Sequence, residues 1–360
     1  MRRILLISAV LVAVVFLLPF IYMPPQPLLA QGQARLEQDG GEAGHDGYAD
    51  AIADGEAEAS GAGPPDAETA RPGDQPALDA RVSLTVNVGG EDVSMALDEY
   101  IWGVLAGEEP PTFPAEALRS QAVAVRSFTL YMTERPKQDD AHPAAALCDN
   151  PAHCQAYLPR GEAMANWGGG ETAEGYAAAL EQALRGTDGQ IMTYDGAPIL
   201  AAYFSTSSGK TENAADVWGA EVPYLSGVDS PGEEGAPRYQ ARFEVTRDEF
   251  WSALGGAYPD IAESETPFGN IERSDAGGVK SIEISGVKVG GADMRRLFAL
   301  NSTNFTVAAS GGAFIFDTVG YGHGVGMPQY GARAMALDGK RYDEILEWYY
   351  SGAKLETYNP

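Results

Sequence analysis

Cysteine is nearly absent: Cys148 and Cys154 are the two cysteines in 360 residues. A disulfide scaffold is therefore excluded, and one bridge or one metal site is the most the chain can build from them. Positive charge is also scarce, with 24 Lys and Arg against 51 Asp and Glu and a net charge of −27. Phosphate contacts need Lys or Arg, so binding to nucleic acid or anionic lipid is excluded as a main role. A neutral polysaccharide remains compatible with such a surface. The sequence has no His-Glu-x-x-His, which removes that class of zinc peptidase. Its glycine-rich stretch, Gly320-Tyr321-Gly322-His323-Gly324-Val325-Gly326, lacks the Lys-Ser/Thr ending of a phosphate loop.

Long apolar runs are missing everywhere but the amino terminus. There, Arg2 and Arg3 precede an uncharged run from Ile4 to Met23. About 20 apolar residues span a bilayer as a helix. Arginine before the span and acids after it put residues 1–3 in the cytoplasm and the bulk outside. A cleaved signal peptide is the alternative, with small residues near Ala30. Residues 24–81 read as an acidic linker: Pro24, Pro25 and Pro27 stop the helix, and residues 31–80 carry twelve acids against two Arg. With so little apolar surface to bury, this stretch is expected to stay unfolded.

Residues 82–360 carry the patterns of a folded domain. Val82, Leu84, Val86 and Val88 alternate as in a strand. A helix is predicted from Leu97 and a longer one from Pro114 to Glu134. Residues 135–170 look irregular, and a helix is expected over Thr172–Arg185. Strands follow near 190–194 and 198–206, joined at Asp195-Gly196. Thr246 with Glu249 forms a capping box. A strand near 279–285, a helix near 292–300, a strand near 313–317 and a helix near 329–349 complete the pattern. Helices and strands mix without a βαβ rhythm, so the class is α+β with antiparallel strands.

Glu108 is a candidate for acid–base chemistry. Leu97, Ile101, Val104 and Leu105 form a helical apolar stripe, and Glu108, eleven residues after Leu97, projects about 20° from it. Glu109 turns off the stripe by about 100°. Pro110 and Pro111 end the helix, so Glu108 lies in its last turn. Both the helix dipole and desolvation then favour the protonated carboxyl, as a proton donor needs. Pairing with an Arg, or partial burial at a frayed end, is the plainer alternative.

His142, Cys148, His153 and Cys154 place four donors within thirteen residues. Zinc takes such a set, and a Cys148–Cys154 disulfide outside the cell is equally compatible with the residues.

The stretch Leu97–Arg126, LDEYIWGVLAGEEPPTFPAEALRSQAVAVR, resembles a signature of the stage II sporulation protein D family. Tyr203–Trp218, YFSTSSGKTENAADVW, and Gly322–Ala332, GHGVGMPQYGA, resemble two more, in family order. The resemblance implies a membrane-anchored lytic transglycosylase that cuts peptidoglycan glycan strands during engulfment in sporulating bacteria, with a catalytic groove between lobes. It places the catalytic acid at Glu108 and a second functional residue at Arg126, for which a charge paired with an acid is the alternative. Ser207, Ser208, Gly209, Lys210, His323, Gln329 and Tyr330 are expected to wall the sugar groove, the glycine-rich part serving otherwise as a tight turn. The resemblance favours zinc on His142, Cys148, His153 and Cys154, in a structural or site-shaping role. It implies two partners, the amidase stage II sporulation protein P and the membrane protein stage II sporulation protein M. Two positions depart from the pattern: Glu109 stands where Met is common, and Pro328 where Ser is usual. A glycan-binding amidase activator without catalysis, and a scaffold that recruits a partner, are the competing functions.

Overall fold

The computed structural model describes residues 77–134 and 142–359. The apolar run at residues 4–23 and the linker up to residue 76 lie outside the described residues. Among the described residues no helix is long and apolar enough to cross a membrane.

The fold begins earlier than the composition suggests. A 3-10 turn, Asp79–Arg81, docks on the body, so residues 77–81 belong to the fold and not to the linker. Strand β1 (Ser83–Val88) turns at Gly89-Gly90 into β2 (Glu91–Ala96). Helix α1 (Leu97–Glu108) follows. It is buried on nearly every side, as its apolar content requires. Helix α2 (Ala115–Thr133) has Pro114 at its N-cap. Strand β3 (Leu147–Cys148) pairs in parallel with β1. Helices α3 (Arg160–Asn166) and α4 (Gly170–Arg185) precede β4 (Gln190–Tyr194), β5 (Ala197–Pro198), β6 (Tyr203–Phe204) and α5 (Ala214–Trp218). The continuous strand expected over 198–206 is broken. Ala201 N–H bonds Ile199 O and Ala202 N–H bonds Leu200 O, and such tight turns cannot extend.

Residues 240–319 build a second core. Strand β7 (Gln240–Thr246) and helix α6 (Arg247–Ala257) meet at the expected capping box. Strands β8 (Phe268–Arg273), β9 (Val279–Ile284) and β10 (Val287–Gly290) form one antiparallel sheet. Helix α7 (Gly291–Leu297) leads to β11 (Phe305–Ser310) and β12 (Ala313–Val319), which join β7 in another. Phe250 centres this core, with ring centroids 4.3 Å from Phe314 and 5.0 Å from Phe298. Gln240 pairs with Val319, so the lobe leaves and rejoins the main body on neighbouring strands. It is an insertion.

The chain returns through β13 (Met327–Pro328), parallel to β6. Helices α8 (Gln329–Leu337) and α9 (Tyr342–Tyr349) replace the single helix expected over 329–349. The break falls at Gly339, whose φ of +84° no right-handed helix accommodates. Strand β14 (Lys354–Thr357) closes against β4. The mixed α+β class and the mostly antiparallel pairing agree with the reading of the sequence.

Candidate active site

Glu108 is the last residue of α1, half-buried. Its Oε1 accepts the Ala156 N–H at 2.6 Å, and its backbone oxygen accepts Gln329 Nε2–H at 2.8 Å. Desolvation pushes its carboxyl up to about 7, against the opposing pull of the Ala156 N–H. Tyr203 and Tyr100 are held well above the usual phenol range, mainly by burial and partly by the charge of Glu108. Both hydroxyls therefore stay protonated beside it.

Glu109 does not turn outward as helical projection predicts. Its φ of −132° and ψ of 135° take it out of the helix, so the 100° step no longer applies. It is 0% exposed, and neither carboxylate oxygen has a hydrogen-bond partner. Burial first, and Glu108 second, hold its carboxyl well above the usual range.

A strap formed by residues 154–158 lies across α1. Gln155 is buried, with Nε2–H donating to Tyr100 Oη at 3.1 Å and Oε1 accepting Tyr203 Oη–H at 2.8 Å. Ala156 supplies the N–H to Glu108, and the Tyr157 ring stacks on Tyr100 at 5.7 Å. Leu158 N–H bonds Gly103 O. Gly103 and Gly107, four apart on one helix face, let the strap approach. A Cβ on Gly103 would sit 2.2 Å from the Tyr157 ring, and one on Gly107 3.3 Å from Ala156. Gln155, Ala156 and Tyr157 escaped the reading of the sequence. The Gly-x-x-x-Gly spacing on a buried helix was the available signal.

The strap begins at the His/Cys cluster. Strand β3 fixes Cys148, and a turn on Asn150 O fixes His153 and Cys154. Cys148 Sγ lies 3.4 Å from His153 Nδ1, Cys154 Sγ 3.3 Å from His153 Nδ1 and 3.4 Å from His142 Nε2. All four donor atoms lie within 4.8 Å of one another. A tetrahedral zinc ion separates its N and S ligands by about 3.4–3.8 Å, so the set can hold a metal. The other His142 nitrogen, Nδ1, faces Ala145 O at 3.1 Å, which aims Nε2 inward. No disulfide joins Cys148 and Cys154.

Arg126 requires a correction. It is 0% exposed. Its Nη2 lies 2.6 Å from Asp79 Oδ2, Nε also donates to Asp79, and Nη1 donates to Gln190 O at 3.0 Å. A fully enclosed guanidinium cannot touch a substrate. Its work is to fasten the docked turn at Asp79 to α2 and β4.

The expected sugar wall divides. Gln329 sits by Glu108 and holds the end of α1, while the Tyr330 ring packs edge-on against Phe113 at 5.1 Å. Ser208, Lys210 and His323 instead line a shallow hollow between the two lobes with Phe204, Ser302 and Gly320. Glu108 is not among the residues of that hollow, so the acid and the interlobe groove do not coincide as expected. Ser207 is buried and donates to Glu233 Oε1 at 2.6 Å, leaving it structural. Ser208 Oγ–H bonds Ala276 O, and Gly209 N–H bonds Ser207 Oγ. His323 donates from Nε2 to Tyr203 O at 2.9 Å and accepts Val325 N–H on Nδ1 at 3.1 Å. Burial, with help from Arg295, brings its pKa down to about 4. A neutral ring with both nitrogens engaged is a latch on β6 rather than a ligand contact. Lys210 remains half-buried in the hollow.

Comparison with known proteins agrees with the family resemblance. The profile described as Stage II sporulation protein matches residues 91–194. Stage II sporulation protein D of Bacillus subtilis is 36% identical over 272 residues, covering 75% of this chain and 77% of its own length. The protein of the same name from Bacillus amyloliquefaciens is 36% identical over 270 residues, covering 73% of this chain and 74% of its own. The amidase enhancer of Bacillus subtilis is 25% identical over 309 residues, covering 71% of this chain and 40% of its own. At that identity over about three quarters of each chain, the chain belongs to the stage II sporulation protein D family.

Proposed function

We propose that this protein is a membrane-anchored lytic transglycosylase that cleaves peptidoglycan between N-acetylmuramic acid and N-acetylglucosamine, with Glu108 as its acid and base. The observation that carries the reading is Glu108 itself: a half-buried carboxyl at a helix end, raised to about 7 and held in place by the Ala156 N–H. Such a group carries a proton for much of its time near neutral pH. It protonates the glycosidic oxygen as the C–O bond breaks. The resulting carboxylate takes the proton from the C6 hydroxyl of muramic acid, whose oxygen closes onto C1 as a 1,6-anhydro ring. The proton count returns to its start, and no water is consumed. A two-carboxylate hydrolase needs a second exposed acid, and the neighbour in sequence, Glu109, is sealed from substrate.

His142, Cys148, His153 and Cys154 would hold zinc; with four protein ligands it would cross-link the strap to β3 and would not be placed to activate water. Residues 4–23 anchor the chain with its catalytic part outside the cytoplasm, and stage II sporulation proteins P and M are the proposed partners in engulfment.

The test is digestion of glycan strands stripped of stem peptides, read by mass spectrometry, with the full chain and with Glu108→Ala. Muramic acid products one water lighter, made by the wild type alone, support the assignment. Reducing ends that retain the water mean a hydrolase. Retention of strands without cleavage favours a non-catalytic activator, the reading that the likeness to an amidase enhancer suggests.

A further inference from the structure

Gln155 lies in the strap with its amide sealed inside the protein, 2% exposed. Its Nε2–H groups face two oxygens, Tyr100 Oη at 3.1 Å and Thr129 Oγ1 at 3.4 Å. Its Oε1 accepts the Tyr203 Oη–H at 2.8 Å. A tyrosine hydroxyl has one proton to give, so Tyr203 has none left for another acceptor.

Tyr203 is a neighbour of the acid. Strands β6 and β13 run side by side, with Met327 opposite Tyr203 and Pro328 opposite Phe204. Gln329, next in the chain, bonds the backbone oxygen of Glu108. On the other flank Ala156, next to Gln155, donates to Glu108 Oε1. Tyr203 is thus tied to both segments that hold Glu108, and after burial the charge of Glu108 acts on its hydroxyl most strongly. A hydroxyl near a carboxylate gains more by donating to it than to a neutral amide, since charge-assisted hydrogen bonds are roughly twice as strong. Here the proton goes to the amide.

The other groups around Glu108 leave it equally bare. Among the described residues no lysine, arginine or histidine acts on its charge. Glu109, next to it at the end of α1, is kept protonated by burial and by Glu108 itself. Tyr100 on α1 is bonded to Gln155, and the thiols of Cys148 and Cys154 act on Tyr100 and not on Glu108. Gln329 on α8 meets the backbone oxygen, not the carboxyl.

We infer that Gln155 is a positioning residue for the acid: by accepting the Tyr203 proton it keeps that donor off Glu108, whose carboxyl is left with the Ala156 N–H alone. The inference rests on the reading of Glu108 as acid and base. A carboxyl with few donors holds its proton to higher pH and, once ionised, takes one back more readily. That suits a group that must carry a proton near neutral pH and later strip one from the C6 hydroxyl.

The experiment is an NMR titration of the full chain in detergent, made with glutamate carrying carbon-13 at the side-chain carboxyl. The Glu108 resonance is the one missing from Glu108→Gln. Gln155→Leu removes the acceptor and frees the Tyr203 proton, so the Glu108 midpoint should fall by about one pH unit or more. Adding Tyr203→Phe to Gln155→Leu should return it to the wild-type value, and Tyr203→Phe alone should leave it unmoved. In strand digestions the falling limb of kcat should move with the midpoint in Gln155→Leu. A residue that only braces the strap would lower the melting temperature and leave both in place. An unmoved midpoint in folded Gln155→Leu overturns the inference. So does a midpoint that rises in Tyr203→Phe, which would mean that the hydroxyl already donates to Glu108. Should melting curves show Gln155→Leu to be unfolded, Tyr203→Phe decides alone by the same criterion. The midpoint is read with no glycan present. Midpoints that move as stated in a protein that cuts nothing sink the proposed activity and leave the role of Gln155 standing; cleavage by Glu108 with unmoved midpoints does the reverse.

Discussion

Two adjacent carboxyls show how much a single backbone step decides. Glu108 keeps helical geometry, reaches the solvent edge and finds one N–H; Glu109 leaves the helix and finds none. If Glu108 donates the proton, cleavage falls as pH rises above about 7, because the protonated fraction falls. Glu108→Gln should lose at least about a hundredfold in rate and with it the falling limb, a result that a pH series of strand digestions reads directly. Glu109 acts on stability instead. Its folded pKa lies above its unfolded one. Below about pH 4 both states are protonated and nothing is lost. As pH rises past that point the unfolded chain releases its proton while the folded chain keeps it, so stability falls. Glu109→Met should remove that slope and gain about 1–3 kcal/mol at pH 7 in denaturant titrations. A variant no more stable than the wild type would mean that water or a shifted side chain satisfies the buried carboxyl. Glu108 was legible in the sequence because 3.6-residue geometry holds to the last turn. The burial of Glu109 was not, because periodicity carries no information past a helix end.

At the level of elements, the strap over α1 joins the His/Cys cluster to the acid. Its seat is two glycines inside a helix, where alanine ordinarily adds about 1 kcal/mol of stability. Gly103→Ala should reverse that sign, since its methyl overlaps the Tyr157 ring. Overpacking of this kind costs about 1–3 kcal/mol, and displacing residues 154–158 withdraws the N–H from Glu108, so cleavage should drop at least tenfold. Gly107→Ala, with its nearest contact at 3.3 Å, should be close to neutral. Equal melting temperatures for Gly103→Ala and the wild type would mean that the strap is loosely seated. Chelation should act through the same segment: removing a metal from the four ligands should lower the melting temperature and expose Cys148 and Cys154 to thiol reagents. The cluster could be picked out in the sequence because its four donors fall within thirteen residues. The strap was hidden because Gln155 meets Tyr100 and Tyr203 across gaps of 55 and 48 residues. The role of Arg126 was hidden for the same reason, its partner Asp79 lying 47 residues away in what composition marks as linker.

For the whole molecule, the unforeseen feature is the inserted lobe. Residues 240–319 have no compositional border, and their strands read like any others, so one domain was the natural expectation. What separates them is a private aromatic core around Phe250 and a stem of two paired strands. That stem makes a strong prediction. Gln240 and Val319 are antiparallel partners, about 5 Å apart at Cα, so a two-residue turn such as Asn-Gly can replace residues 241–318 without strain. The main body keeps its own core, the strap and Glu108. Its losses at the seam are mostly polar: Glu212 gives up Ser274 and Gly278, Asp216 gives up Lys280, Gly322 N–H gives up Asn301 O, and Ser208 gives up Ala276 O. Those groups pass to water, which satisfies them, so the cost is far smaller than leaving them buried. The shortened protein should unfold in one cooperative transition and still cut stripped strands, with a raised KM because one wall of the interlobe hollow is gone. Failure of the shortened body to fold would show that the two cores depend on each other. A fold that survives with kcat abolished would place part of the catalytic machinery in the inserted lobe, and Glu108 would then be one half of a site built from both.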